Sequence, residues 1–473
     1  MSDTYYVTTT LPYVNADPHI GFALEIVQAD TIARFEQLKG KDVVFNFGTD
    51  EHGQKIYQKA IENNEDPQEY VDRFAKQFDT LKTALNLSYT KFIRTTDPKH
   101  VKAAQKFWEL CDNNGYIYKK NYKVKYCVGC ELEKTDSELV DGKCELHPNR
   151  EIEVREEENY FFKFSEFQDT LLDFYEKNPD FVVPDFRFNE IKQFVKDGLK
   201  DFSISRLKDK MPWGIEVPND PQHVMYVWFD ALINYISTIG WPEDLDQFNM
   251  YWPVIQFAGK DNLRQQSAIW QAMLIAAGLP NSKQIFIHGF INIDGQKISK
   301  SLGNVINPIE FTEKYGTDAL RYYLLAKVHP FEDSDFTVEK FETVFNADLA
   351  NGIGNLVSRV AKLCENSGLT FEKEEFEMDE HISKALGEYR FNDALSGIWD
   401  KIRKTDQYLS ETKPWKVEET NELKEILSTC VSELRYIAVS LSPFMPETAE
   451  KISLHFDREK ITAINDPLFQ RIQ

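Results

Sequence analysis

Hydrophobic positions fall into two rhythms along the first part of the chain. Short β-branched and aromatic runs alternate with stretches in which apolar residues return at helical spacing. Tyr5-Tyr6-Val7-Thr8-Thr9 reads as a strand. Phe22, Ile26, Ala29 and Ala33 then recur at helical spacing until Gly40 supplies a stop. Asp42 to Phe47 reads as a second strand, ending at Gly48-Thr49-Asp50-Glu51-His52-Gly53, and a helix pattern runs from about Pro67 through Leu85. Strands separated by helices predict a parallel sheet whose ligands sit at the carboxyl ends of the strands. The loops at His19 and at Asp50 both follow strands and would share that edge.

The rhythm breaks between 116 and about 223, where a Cys/His cluster, the charged run Arg150 to Glu158 and the aromatic Tyr160 to Phe164 stand. It resumes at Val224-Met225-Tyr226-Val227-Trp228, with further strand-to-loop junctions at Phe257 to Asp261 and Gln284 to His288. From about Asp348 onward nearly everything is helical in period, apart from an acidic link around Glu372 to Glu380. The expected organisation has five parts: a first sheet half (1–115), an insertion with a metal knuckle (116–223), a second sheet half (224–292), a lysine loop with its following region (293–347) and a helical domain (348–473). The fold class is thus α/β, a Rossmann-type parallel sheet with an insertion, followed by an all-α bundle.

With 473 residues the chain exceeds what one core holds. A hydrophobic share of 42% beside 28% charged residues excludes disorder. The net charge of −22 argues against non-specific coating of nucleic acid, though not against a local surface for one RNA. No signal peptide and no apolar stretch long enough to span a bilayer is visible, so the expectation is a cytoplasmic protein with no membrane association. The chain ends soon after its last helix pattern, with no further domain, which leads to the expectation of a monomer.

Three stretches carry candidate chemistry. Pro12, Asn15, Asp17 and Pro18 make a stiff loop, and a helix opens at His19-Ile20-Gly21. Its unpaired N–H groups and partial positive charge suit a phosphate, His19 adds a donor, and Gly21 lets a flat ligand lie against bare backbone. Lys297 and Lys300 alternate with Ser299 and Ser301 between Gly295 and Gly303. Compact ammonium charges on a glycine-flanked loop suit a phosphate chain and a closing motion. Cys127-Val-Gly-Cys130 and, after thirteen intervening residues, Cys144-Glu-Leu-His147 place two pairs of soft ligands on tight turns. That spacing predicts one tetrahedral zinc ion in a closed, structural site. Cys111, Cys364 and Cys430 read as buried small hydrophobes.

His19-Ile-Gly-Phe22 and Lys297-Ile-Ser-Lys-Ser301 resemble the two signatures of the class I aminoacyl-tRNA synthetases. The chain resembles the methionine-specific branch from Leu11 to beyond Trp415, with its single zinc knuckle and its Tyr315-Gly-Thr-Asp-Ala-Leu-Arg321 run. The resemblance implies activation of methionine by ATP with Mg²⁺, then transfer to the terminal adenosine of methionine tRNA, initiator tRNA included. It implies ATP contacts from His19, Gly21, Gly259, Asp261, Ile291, Lys297 and Lys300, with His19, Lys297 and Lys300 catalytic. Leu11, Tyr13, Asp50, Trp228, Ala231 and Tyr235 match the methionine pocket, with Asp50 taking the ammonium. Asn355, Arg359 and Trp415 match the anticodon readers. Three positions depart from the pattern: Phe22 stands in place of a second histidine, Leu232 in place of a proline, and Gln266 where a histidine is common. Two other readings stay open at this level. One is a class I synthetase for leucine, isoleucine, valine or cysteine; the other, motivated by Phe22, is a weakly catalytic paralogue that binds RNA.

Overall fold

In the computed structural model the described residues are 3–15, 17–129, 132–134, 139–144, 147–298 and 304–472. Lys300 and Cys130 lie outside them. The chain divides into two compact units, 1–18 with 42–80 and 89–287, and 19–41 with 81–88 and 288–473.

The first unit is built on a six-stranded sheet. Its strands are β1 (Thr4–Thr8), β2 (Asp42–Thr49), β3 (Lys91–Arg94), β6 (Val182–Val183), β7 (Ile255–Gly259) and β8 (Gln284–His288), in the order β3-β2-β1-β7-β8-β6. β1 runs parallel to both β2 and β7, with Val7 opposite Phe45 on one side and Ile255 on the other. β2 and β7 are buried almost throughout, as strands covered on both faces must be, with Asn46 and Gln256 among the buried residues. The order reverses between β1 and β7, so the crevice for a ligand opens at the carboxyl ends of those strands.

Between β3 and β6 the chain builds most of a separate antiparallel sheet, and β6, although inside the expected 116–223 insertion, pairs with β8 in the six-stranded sheet. β4 (Ile117–Cys127) and β5 (Glu153–Phe162) form a long antiparallel pair, so the charged run after Arg150 is largely strand. A cluster of aromatic side chains anchors its base. Phe162 stacks on Phe167 with centroids 5.4 Å apart, and Phe229 meets Trp108 edge-on at 5.2 Å. Where strand-and-helix alternation was expected to resume, Val224 and Met225 close an antiparallel strand (Asp220–Met225), and Val227–Ala231 is a short helix. Aromatic and β-branched residues in that run satisfy either state, and tertiary packing decides.

The second unit gathers the helix Ile20–Leu38, the segment 81–88 and everything from His288 on. A strand, Ile291–Ile293, pairs antiparallel with Gln296–Lys297 and parallel with Ser334–Phe336. Helices then dominate to Phe456. The unit is knotted by a buried charge network. Asp30 of the first helix accepts from Arg34, from Ser88 and from Arg321 at 2.8 Å, and both Asp30 and Arg321 are fully buried. Arg321 also donates to the carbonyls of Leu85, Pro443 and Phe444, so four separate segments meet on one guanidinium. Among the described residues no helix is long and apolar enough to cross a membrane.

Candidate active site, metal centre and RNA-facing residues

In the first unit the loop after β1 runs beside the end of β2. Asp50 N–H donates to Pro12 O, Val14 N–H donates to Asp50 O, and Tyr13 bridges Asp50 in parallel register. Leu11 and Tyr13 are half-buried and Asp50 is buried. The neighbouring Glu51 carboxylate is fully buried and accepts from Thr49, from Arg94 at 2.7 and 2.9 Å, and from Thr96. Trp213 donates its indole N–H to Glu51 O, and Gly53 N–H donates back to Trp213 O. The Asp50 loop is therefore held by its neighbours within the protein.

Along Val227–Ala231 the helix sorts its residues. Phe229 and Asp230 are buried, while Trp228 and Ala231 keep part of their surface open. Trp228 is thus less buried than Val227 and Phe229 beside it. Tyr235 follows, buried, its hydroxyl accepting from Gln266 Nε2 at 2.8 Å. Gln266 is fixed in turn by Gln256, whose amide donates to its oxygen, and Gln256 accepts from Ser282. An amide with both ends engaged has one orientation, so Gln266 holds the tyrosine hydroxyl from behind without a titrating group. Leu232 is buried core. Gly259 ends β7 and is buried, while Asp261 just beyond it is exposed.

A three-residue cluster stands behind these groups that the chain's order conceals. The buried Asp230 carboxylate lies 2.7 Å from His52 Nδ1 and 2.9 Å from His100 Nε2, and His100 Nδ1 lies 3.0 Å from Ser237 Oγ. An ionised carboxylate only accepts, so both facing ring nitrogens carry hydrogen. Burial pushes the Asp230 carboxyl upward, but His52 and His100 outweigh it and hold the group below the usual carboxylate range. No local pattern links residues 52, 100 and 230; each on its own reads as one more polar side chain.

In the second unit His19 caps the helix Ile20–Leu38. Its extended backbone lets Nδ1 accept from Gly21 N–H at 3.1 Å, which leaves the ring hydrogen on Nε2 in the neutral form. A Cβ at position 21 would lie 2.9 Å from the His19 ring, so a larger residue there would push the imidazole aside. Phe22 packs its ring on His19 with centroids 4.3 Å apart. Next to this turn runs the lysine-loop segment. Ile20 N–H donates to Ile306 O at 3.0 Å, and Gly21 faces Ile298. Lys297 is exposed and sits 5.6 Å over the Phe290 ring, and Asn304 donates to its carbonyl. Asp294 and Gly295 turn the chain with positive φ, braced by Gly295 N–H on Asp335. Ile291 is buried in the adjoining strand.

The knuckle brings Cys127 Sγ, Cys144 Sγ and His147 Nδ1 within 4.8 Å of one another, with both sulfurs 3.9 Å from the ring nitrogen. These three could hold a metal ion. Gly129 passes so close to the His147 ring that a Cβ would lie 2.4 Å from it. Cys111, Cys364 and Cys430 are buried, and burial pushes the Cys364 and Cys430 thiols up to about 12.

Of the residues expected to read the anticodon, Asn355 opens the helix Asn355–Ser367 and is exposed; Arg359 follows one turn later and pairs with Asp406. Trp415 lies in the single turn Pro414–Lys416 with 53% of its surface exposed, too much for a core residue.

Comparison with known proteins gives one consistent result. A family model described as class I tRNA synthetases (M) matches residues 5–149 and 130–361, and one for the anticodon-binding domain of tRNA ligases matches 373–469. The Methionine--tRNA ligase of Thermotoga maritima is 41% identical over 95% of this chain and 74% of its own length. That of Thermosynechococcus vestitus is 41% identical over 96% and 90%. The solved Mycobacterium tuberculosis methionyl-tRNA synthetase in complex with methionyl-adenylate superposes with a TM-score of 0.90, at 34% identity and full coverage of both chains. Its apo form gives 0.85 at 31% identity, covering 100% of this chain and 99% of that one. With identity above two-fifths along almost the whole chain and a matching fold, the chain belongs to the methionyl-tRNA synthetase family of class I tRNA synthetases.

Proposed function

We propose that the chain is a methionine–tRNA ligase. It joins methionine to ATP, releasing pyrophosphate, and passes the methionyl group to the terminal adenosine of methionine tRNA. In the first step a methionine carboxylate oxygen attacks the α-phosphorus. A P–O bond forms, the bond to the β-phosphate oxygen breaks, and pyrophosphate carries away the charge. No protein atom enters a covalent bond, so positioning and charge stabilisation carry the catalysis. Asp50 takes the ammonium, and Leu11, Tyr13, Trp228, Ala231 and Tyr235 shape the thioether slot. His19 and Gly21 receive the phosphates, Asp261 and Gly259 the ribose, Ile291 the adenine, and Lys297 and Lys300 the departing pyrophosphate. Mg²⁺ bound with ATP supplies further neutralisation of the phosphate oxygens. In the second step a ribose hydroxyl of the tRNA attacks the carbonyl and AMP leaves.

The observation that carries this reading is the hydrogen bond from Ile20 N–H to Ile306 O, which seats the lysine-loop segment beside the helix start at His19. Methionine and ATP as substrates follow from the methionyl-adenylate held by the superposing relative. Pyrophosphate exchange measured with each of the twenty amino acids tests the reading. Exchange with methionine alone supports it, and exchange with leucine, isoleucine, valine or cysteine instead, or with none, overturns it.

Zinc fits the knuckle. Tetrahedral donors at zinc distances stand roughly 3.5–3.8 Å apart, close to the 3.9 Å seen between both sulfurs and His147. Cys127, Cys144 and His147 would hold it with Cys130 as fourth ligand, and it would replace the core so short a segment lacks. Asn355, Arg359 and Trp415 read the CAU anticodon by edge hydrogen bonds and stacking. A cytoplasmic location belongs to the same reading.

A further inference from the structure

The cluster of Asp230 with His52 and His100 does more than fill a core. His52 closes the loop that begins at Asp50, two residues earlier, and Asp230 stands between Trp228 and Ala231 on one short helix. His100 comes from a third element, the helix Pro98–Asn113, and reaches Ser237 on the next helix, Asn234–Ser237, which also carries Tyr235. One carboxylate therefore ties the loop bearing Asp50 to the helix bearing Trp228 and Ala231, and braces both from behind. All three side chains are buried, at 0–6% exposure, so water does not compete for these bonds. Trp213 meets the His52 ring at 5.6 Å and donates to the Glu51 carbonyl, and the bond from His52 to Asp230 joins this loop directly to the helix Val227–Ala231.

We propose that Asp230 is a positioning residue for methionine: through His52 and His100 it sets the distance between the ammonium-binding carboxylate and the side-chain slot. This rests on the reading of Asp50, Trp228 and Ala231 as methionine contacts. An amino acid bound at both ends measures that distance directly, whereas ATP does not. Loosening the tie therefore acts on methionine selectively, and small displacements of a positioned group are costly.

The test is steady-state pyrophosphate exchange with methionine and ATP varied separately, in Asp230→Asn, His52→Leu and His52→Asn. Asp230→Asn keeps the shape and removes the charge. His52→Asn restores an N–H near the place of Nδ1, and His52→Leu removes it. The expected result is a methionine KM raised about tenfold or more in Asp230→Asn and His52→Leu, an ATP KM within about twofold of the parent, and recovery of most of the loss in His52→Asn. A purely structural cluster would lower the melting temperature and the active fraction and leave the methionine KM in place. That outcome overturns the proposal, as does a parallel rise in both KM values or a His52→Asn protein no better than His52→Leu. If Asp230→Asn does not fold, the two His52 variants decide alone. Absence of methionine-dependent exchange in the unaltered protein would instead overturn the functional reading beneath it.

Discussion

Phe22 lies on the face of His19, ring centroids 4.3 Å apart and planes 30° from parallel. The phenyl ring cannot donate to a phosphate, as a histidine there would, but it holds the imidazole at the helix start. Aromatic contacts of this kind contribute about 0.5–1.5 kcal/mol. Phe22→Ala is expected to lower methionine-dependent exchange by roughly 2–10-fold, and Phe22→Tyr to preserve it. Phe22→His keeps a ring and adds a donor, and should match or exceed the parent rate. An unchanged rate in Phe22→Ala would show that His19 stands without this support.

Arg321 and Asp30 form a fully buried ion pair at 2.8 Å. Removing one partner leaves a charge with part of its solvation missing, at a cost of about 3–5 kcal/mol. Arg321→Met is expected to lower the melting temperature of the second unit and to expose it to protease, as read by thermal unfolding and limited proteolysis. A variant as stable as the parent would mean that Arg34 and Ser88 alone satisfy Asp30.

Asp220 supplies a pH dependence with a definite sign. Burial raises its carboxyl pKa, but Lys119, Tyr160, the Gln222 N–H and His223 outweigh this and bring it down to about 2. Because the folded value lies below the ordinary one near 3.9, its stabilisation is present above that pH and lost as pH falls toward 2. The stability difference between the parent and Asp220→Asn should be constant from pH 7 to about 5 and shrink between about 4 and 2. Thermal unfolding across that range checks it; a difference that grows on acidification would contradict the assignment.

The proposed anticodon role of Trp415 and Arg359 would separate RNA recognition from chemistry. Stacking of one base on an aromatic ring is worth about 1–3 kcal/mol. Trp415→Ala should therefore weaken tRNA charging by roughly tenfold or more and leave methionine-dependent exchange unaltered. Equal loss of both activities would remove Trp415 from the anticodon site.

At the knuckle, Cys144→Ser should lower bound zinc and the protease resistance of the insertion, read by elemental analysis and proteolysis. A full zinc complement in that variant would place the metal elsewhere.

How much of this was legible in the chain depends on whether the signal is local. β1 and β2, the helix after His19 and the spacing of Cys127, Cys144 and His147 are local patterns, and they appear where the periodicity puts them. The run Val224 to Trp228 misleads because its residue types suit a strand or a buried helix equally. The partners of Asp230 were invisible for another reason. They lie 130 and 178 positions away, and only the folded sheet brings them together. The same holds for Gln266, whose amide turns out to face Tyr235. The likeness to a known family named the residues around the proposed methionine site, but not the layer behind them.

The four segments gathered on Arg321 have a mechanical corollary. The helix Ile20–Leu38 is fastened near its middle, at Asp30, to the turn at Pro443 and Phe444 that joins the last two long helices. His19 sits at the N-terminal end of that helix, eleven residues and about 16–17 Å from the fastening at 1.5 Å per residue. The helix start is anchored as well, Ile20 N–H donating to Ile306 O, so a shift of this helix would carry His19 and the segment after the lysine loop together.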